Sequence, residues 1–166
     1  MPEAAVDEDG DLSAGVGDVR AACGQWSVVG GRWSVKVGVS ICEDLWRGDD
    51  ARATSRYSGR TDPARELKDA GAEVIVNPSA SPFVLGKGWL QRQILQRHAR
   101  SLGVAVAAVN QVGGNDDLIF DGHAAVYMPG ADGEPALVAA GPGFVEGVVY
   151  ADIPGPVVAV TDPLVE

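Results

Sequence analysis

The sequence predicts an α/β fold, a layered sandwich of sheet and helices, and three observations carry that expectation. Val35, Val37, Val39 and Ile41 alternate with Lys36, Gly38 and Ser40, the period of two expected of a β-strand. Leu90, Ile94, His98 and Leu102 recur every four residues with Leu95 and Ala99 beside them, the stripe of an amphipathic helix. Val104 to Val109 is a continuous apolar run, as in a strand buried on both faces. With the weaker elements between them, the order is strand, helix, strand, helix, strand.

Taken in order, residues 1–25 begin with a Gly-rich, acidic stretch carrying Glu3, Asp7, Glu8, Asp9, Asp11 and Asp18 and few large apolar groups. Such a segment buries too little surface to offset its ordering entropy and is expected to be disordered. The folded body is then 26–153. Trp26, Val28 and Val29 suit the first arm of a hairpin that turns at Gly30-Gly31 and returns as Trp33 to Ile41. Arg47 to Asp62 reads as a long polar loop, of a length that is usually functional or mobile. Asp62 caps a short helix with Pro63 in its first turn, and that helix ends at Gly71. Glu73 to Asn77 is a short strand that Pro78 is expected to stop. Lys87 to Leu102 is a helix, with Gly103 as its natural end. Strand patterns follow at Ala124–Tyr127, Ala136–Ala139 and Val148–Asp152, and the Pro-bearing segment 154–166 is expected to be an extended tail.

The formal net charge of −10 argues against nucleic acid, because neutralising phosphates needs a basic face. No apolar run reaches the ~18 residues of a membrane span. The N-terminus lacks the basic start and apolar core of a signal peptide. Cys23 and Cys42 form neither a disulfide framework nor a zinc spacing. A cytoplasmic protein without a metal site is the expectation.

Function is expected where strands end. Cys42 closes the first strand and is followed at once by Glu43, Asp44 and Trp46. It falls on the less apolar parity, so its thiol is expected to point away from the side buried by Val35 to Ile41. The bland alternative is a small buried core residue. Asn77 with Ser79 and Ser81 ends the second strand, and Asn110 with Gln111 ends the third. Sites in α/β sheets form outside the carboxyl ends of strands, so one pocket could collect all three loops.

Three segments in this order carry a resemblance. Gly38-Val39-Ser40-Ile41-Cys42-Glu43-Asp44-Leu45-Trp46 resembles the nucleophile segment of the nitrilase, or carbon–nitrogen hydrolase, superfamily. Ala70 to Phe83, with Asn77-Pro78-Ser79-Ala80-Ser81-Pro82 at its end, and Val109 to Gly122, with Asn110-Gln111-Val112-Gly113-Gly114, resemble the glutaminase domain of glutamine-dependent NAD synthetases. The likeness covers roughly Val35 to Asp152. It implies a nitrilase-like α-β-β-α sandwich, of which this chain holds the C-terminal half. It implies a glutamine amidohydrolase in which Cys42 forms a thioester and ammonia is released. Glu43, Ser79 and Ser81 then contact the substrate. No cofactor is implied, since ATP and Mg²⁺ belong to a synthetase domain that this sequence lacks. The implied partners are glutamine, a second copy of the chain, an N-terminal half or a synthetase domain.

The family's Glu base and Lys oxyanion donor lie well upstream of the nucleophile, and no residue here matches them. Lys36 stands six residues before Cys42, roughly 20 Å along a strand at ~3.3 Å per residue. Glu3 and Glu8 lie in the acidic segment, and Glu43 does not replace the base. Without those groups turnover is expected to be lost or nearly so. The rival expectation is an inactive nitrilase-like fragment that acts through association with another chain. His98 reads as a packed, hydrogen-bonded histidine, and His123 as a remote candidate for a thiol–imidazole pair with Cys42. Ser79 and Ser81 could equally be a capped turn, and Lys87 a solvated helix-start residue. Gly113 to Asp117 lacks the ligand spacing of a calcium loop and the Lys of a phosphate loop, and reads as a pocket-wall loop.

Overall fold

The computed structural model describes residues 23–27, 34–46 and 62–154. Among them the alternating run forms strand β2 (Ser34–Val39), paired antiparallel with β1 (Cys23–Ser27) so that Trp26 faces Val35. The hairpin is therefore present, its first arm starting at Cys23, ahead of the boundary drawn at residue 25. Its turn, the loop after Trp46, the first 22 residues and the segment from 155 onward lie outside the described residues.

Beyond β2 the chain alternates as read. A 3-10 turn (Cys42–Leu45) leads on to helix α1 (Pro63–Asp69), whose N-cap Asp62 accepts a hydrogen bond from the Arg65 amide at 3.2 Å. Strand β3 (Val74–Ser79), helix α2 (Lys87–Leu102) and strand β4 (Ala105–Asn110) follow, and Gly103 ends α2 in the left-handed conformation. A small hairpin of β5 (Val112–Asn115) and β6 (Leu118–Asp121) precedes β7 (Ala125–Met128) and β8 (Ala136–Ala140). The main sheet runs β1-β2-β3-β4-β7-β8, with β2, β3 and β4 parallel and the other neighbours antiparallel. No helix among the described residues is long and apolar enough to cross a membrane.

One hydrophobic core joins the sheet to both helices. Leu67 of α1, Ile75 of β3, Ile94 of α2 and Val106 of β4 are fully buried in it, with Ala99, Leu102 and Tyr127 around them. The helix stripe predicted from the four-residue repeat is thus the buried face of α2, His98 included. The predicted face of β2 is reversed. Gly38 and Ser40 are the buried residues, Gly38 lying against Leu67 and Ala72, whereas Val35, Val37 and Val39 are half-buried on the other side. Ile41 is 64% exposed. The alternation is as expected, but the parity that meets the first helix is the small one, because the Leu67 and Ala72 side chains fill the space over Gly38.

Three further expectations are corrected. Strand β3 passes through Pro78 to Ser79, pairing Pro78 with Val109 and Ser79 with Asn110. Peptide groups of a parallel strand point alternately to its two neighbours. The Val76 carbonyl faces β2, accepting from the Ser40 amide, and that of Ser79 faces β4, accepting from Gln111. Pro78 therefore faces the β2 side, where β2 has already left the ladder, and no donor is lost. Strand β4 is buried on both faces only at its start, since Ala107 and Ala108 are half-buried and Val109 is 54% exposed. Val148 to Asp152 forms no strand, and Val148 and Tyr150 are exposed there.

The contact at Gly38 yields a test of this packing. A Cβ at that position would stand 3.0 Å from both the Ala72 and Leu67 Cβ atoms. Gly38→Val is expected to lower unfolding stability by about 1–3 kcal/mol through overpacking. Urea denaturation followed by circular dichroism measures it; an unchanged midpoint would show that α1 is not seated on β2 as described.

Candidate active site

Parallel pairing brings the ends of β2, β3 and β4 side by side, and the three polar strand ends meet there. Cys42 is half-buried and has a left-handed backbone, with φ of 46°. A residue with a Cβ is disfavoured in that region, typically by about 1–3 kcal/mol, and persists there when its surroundings hold it. The surroundings are explicit. The Ile41 amide donates to Asp44 Oδ2 at 2.7 Å, and the Asp44 amide donates to the Ile41 carbonyl at 3.0 Å. The Trp46 amide closes on the Glu43 carbonyl at 2.8 Å.

Two buried side chains reach this turn from the core. His98, 3% exposed on α2, lies with Nε2 2.8 Å from the Leu45 carbonyl. A carbonyl has no proton, so Nε2 carries it and donates. Burial holds the His98 pKa below its ordinary value of 6.5, outweighing the upward pull of the Leu45 carbonyl. Asn77, also 3% exposed, donates through Nδ2 to Ser40 Oγ at 3.0 Å and approaches the Cys42 carbonyl at 3.5 Å. Its Oδ1 accepts from Ser79 Oγ at 2.8 Å.

A second cluster joins the loops after β3 and β4. Asn110 Oδ1 accepts from the Ser81 amide at 2.8 Å while its Nδ2 donates to the Ser81 carbonyl at 3.0 Å and to Asp121 Oδ1 at 3.3 Å. Asp121 is buried and its Oδ2 lies 3.7 Å from His123 Nε2. The imidazole also sits edge-on to Phe144, which packs in the same way on Phe83. Lys87 is not the solvated residue it resembles: Nζ donates to the Pro82 carbonyl at 2.9 Å and stands 5.3 Å from the Trp46 ring centre.

The predicted site residues are therefore brought together unevenly. Cys42 and Ser79 share the Asn77 carboxamide. Ser81 is bound to Asn110 through its backbone, and Glu43 is exposed beside Cys42 in the turn. A cavity between α2 and the strand ends is lined by Trp46, Asn77, Ser79, Asn110 and His123, among others, but not by Cys42, Glu43 or Ser81. Lys36 lies at the opposite end of β2, its amide bonded to Glu73 Oε2 and its side chain beside Gly71. Sequence reasoning missed the linking roles of Ser40, His98 and Asp121. For Ser40 a signal existed: a hydroxyl on the same parity as Gly38, two residues before the cysteine.

The family model for carbon-nitrogen hydrolases matches residues 8–161. This chain belongs to that family. Among curated relatives, a glutamine-dependent NAD(+) synthetase of Synechocystis is 46% identical over 53% of this chain, and one of Rhodobacter capsulatus is 38% identical over 72%. The chain spans 15% and 18% of the lengths of those two relatives. The solved glutamine-dependent NAD+ synthetase of Acinetobacter baumannii superposes on 77% of this chain with a TM-score of 0.56 and 30% identity, over 20% of its own length. The NitN amidase, at 22% identity and a TM-score of 0.56 over 80% of this chain and 42% of its own, shares the fold. The α/β, nitrilase-like expectation holds.

His98 gives the carbon–nitrogen hydrolase turn a pH dependence. In the unfolded chain its imidazole takes up a proton near pH 6.5, whereas in the fold it does so only at lower pH. Its contribution to stability is complete above pH 6.5 and is lost as the pH falls from 6.5 toward the lowered folded value. Thermal melts are expected to show Tm falling between pH 7.5 and pH 5, and His98→Gln to flatten that dependence. An equal fall in the variant would assign it to other groups.

Proposed function

We propose that this chain is the nucleophile-bearing part of a glutamine amidohydrolase of the NAD synthetase type. The single observation behind the reading is the elbow itself, a half-buried cysteine in left-handed conformation at the carboxyl end of a parallel strand. A strained strand-to-turn geometry is typical of exposed nucleophiles. The curated relatives of Synechocystis and Rhodobacter capsulatus are both glutamine-dependent NAD(+) synthetases, which favours glutamine over other amides.

In this reading the Cys42 thiolate adds to the side-chain carbonyl of glutamine, forming the Sγ–C bond of a tetrahedral intermediate. Collapse expels the amide nitrogen, which leaves as ammonia after taking up a proton, and a thioester remains. Water then cleaves the thioester to give glutamate and the free thiol. The backbone amide that follows Cys42 supplies one oxyanion donor. Ser79 commits its proton to Asn77 Oδ1 and so offers lone pairs, which suit the α-ammonium of an amino-acid substrate. Glu43 and Ser81 complete the substrate contacts. The chemistry calls for no cofactor, and the ammonia passes to a synthetase unit in the same cytoplasmic system.

The family's base and oxyanion lysine match no residue of this sequence, so the chain alone is expected to be slow. Ammonia release from glutamine, with Cys42→Ala as control, tests the reading. The expected result is slow release that Cys42→Ala abolishes and that Ser79→Ala weakens mainly through KM. Release that survives in Cys42→Ala would overturn it, as would none at all from folded protein supplied with a relative's N-terminal glutaminase half. A second reading, association with another chain, is favoured by Ile41 and Val109, which leave apolar surface open beside the strand ends. A concentration-independent monomer in sedimentation would exclude self-association.

A further inference from the structure

We infer that Asn77 is a positioning residue for the nucleophile: its carboxamide, held between the hydroxyls of Ser40 and Ser79, grips the carbonyl of Cys42 and so fixes the backbone that directs the thiol. The inference rests on the reading of Cys42 as nucleophile and adds a residue that the substrate need not touch.

The orientation of the carboxamide follows from the groups around it. The Cys42 carbonyl is an acceptor and nothing else, so the half of the amide facing it at 3.5 Å must be the NH₂. The same NH₂ donates to Ser40 Oγ at 3.0 Å, and Ser40 in turn directs its proton to the Val76 carbonyl at 3.4 Å. The opposite half, Oδ1, is closed by the Ser79 hydroxyl at 2.8 Å. The Ser40 and Ser79 hydroxyls could each reverse roles, so the two carbonyls decide: turned over, the amide would present an acceptor to the Cys42 carbonyl and take the Ser40 proton away from Val76. Ser40 and Asn77 are both almost fully buried, which removes water as a substitute partner.

The consequence falls on Cys42. Its φ of 46° makes the thiol's direction a property of the elbow, because Cα carries Cβ with it when the backbone relaxes. The elbow is held on its N-terminal side by Asp44 and on its C-terminal side by His98 through Leu45. Asn77 meets the carbonyl of the strained residue itself. Its other end meets Ser79, so the substrate contact and the nucleophile are referred to one rigid group.

Two variants test this. Asn77→Asp keeps the shape and both hydroxyl partners but presents an acceptor to the Cys42 carbonyl. Ser40→Ala removes the anchor of the NH₂ without adding charge. Glutaminase kinetics should show kcat falling by about tenfold or more in Asn77→Asp with KM within about twofold, since misplacement of a reacting group acts on the chemical step. A substrate-contact role alone would move KM instead. Alkylation of Cys42 by iodoacetamide, followed across pH in the same proteins, reads the elbow without any need for turnover. Its high-pH plateau should differ from wild type by about threefold or more in both variants while their circular dichroism is unchanged. Wild-type plateau rates in folded Asn77→Asp and folded Ser40→Ala would overturn the positioning role. If wild type supplied with a relative's N-terminal glutaminase half releases no ammonia yet the plateau shifts, the glutaminase reading fails while the control of the Cys42 thiol by Asn77 stands.

Discussion

The arrangement depends on the parallel register of β2, β3 and β4. Parallel strands send their carboxyl ends to one edge, so a cysteine, a serine-rich loop and an asparagine from distant parts of the sequence arrive together. The register also sets a stagger. The last β2 residue in the ladder is Val39 opposite Val76, whereas β3 stays paired with β4 as far as Ser79. For three residues β3 therefore has an open side, and the Cys42 elbow occupies it. Pro78 suits that stretch because it has no amide proton to leave unpaired on the open side.

Magnitudes explain why a few hydrogen bonds are enough to hold the elbow. A left-handed non-glycine residue costs about 1–3 kcal/mol. Leaving one buried polar group unsatisfied costs about 1–3 kcal/mol as well. Relaxing Cys42 would strip partners from Asn77 or from the 3-10 turn, so the gain and the loss are of the same size. A network in which Ser79, Asn77, Ser40 and Val76 form an unbroken chain of donors and acceptors tips that balance toward the strained form.

Most of the architecture was legible in the sequence because periodicity reports burial directly. The α2 stripe and the Asp62-Pro63 start of α1 stand where patterning put them, and the hairpin arm pairs at Trp26 but starts earlier, at Cys23, with Val28 and Val29 outside the described residues. Legibility failed where neighbours decide. Alternation in β2 cannot say which parity meets the helices, and glycine at 38 gave the answer only once Leu67 and Ala72 were seen against it. Pro78 reads as a strand stop unless the departure of β2 is known. The β5–β6 hairpin was hidden by its glycines and acids, with Asp116 turning at a φ of 51°. Of the site, Cys42 and the strand-end polar groups were visible as types, but a histidine on an apolar stripe gives no hint that a turn carbonyl lies in front of it.

His98 shows how the core and the candidate site are mechanically one object. It belongs to the buried stripe of α2, between Ile94 and Leu102, and its ring is held by the same packing that seats the helix. Its Nε2 ends on Leu45, the last residue of the turn that starts at Cys42, and Leu45 is itself a core residue. The turn is thus fixed by a side chain packed into the core and by a hydrogen bond from the core, rather than by solvent-facing contacts. Interiors are close-packed and respond to volume changes with shifts of their neighbours. A change in volume at Leu95 or Ala99, which flank His98, would therefore be carried to the Leu45 carbonyl and on to the elbow. The precision of the nucleophile is inherited in large part from the helix–sheet core, because Leu45, His98 and Asn77 hold the turn from the buried side while the Asp44 and Trp46–Glu43 bonds are local to it.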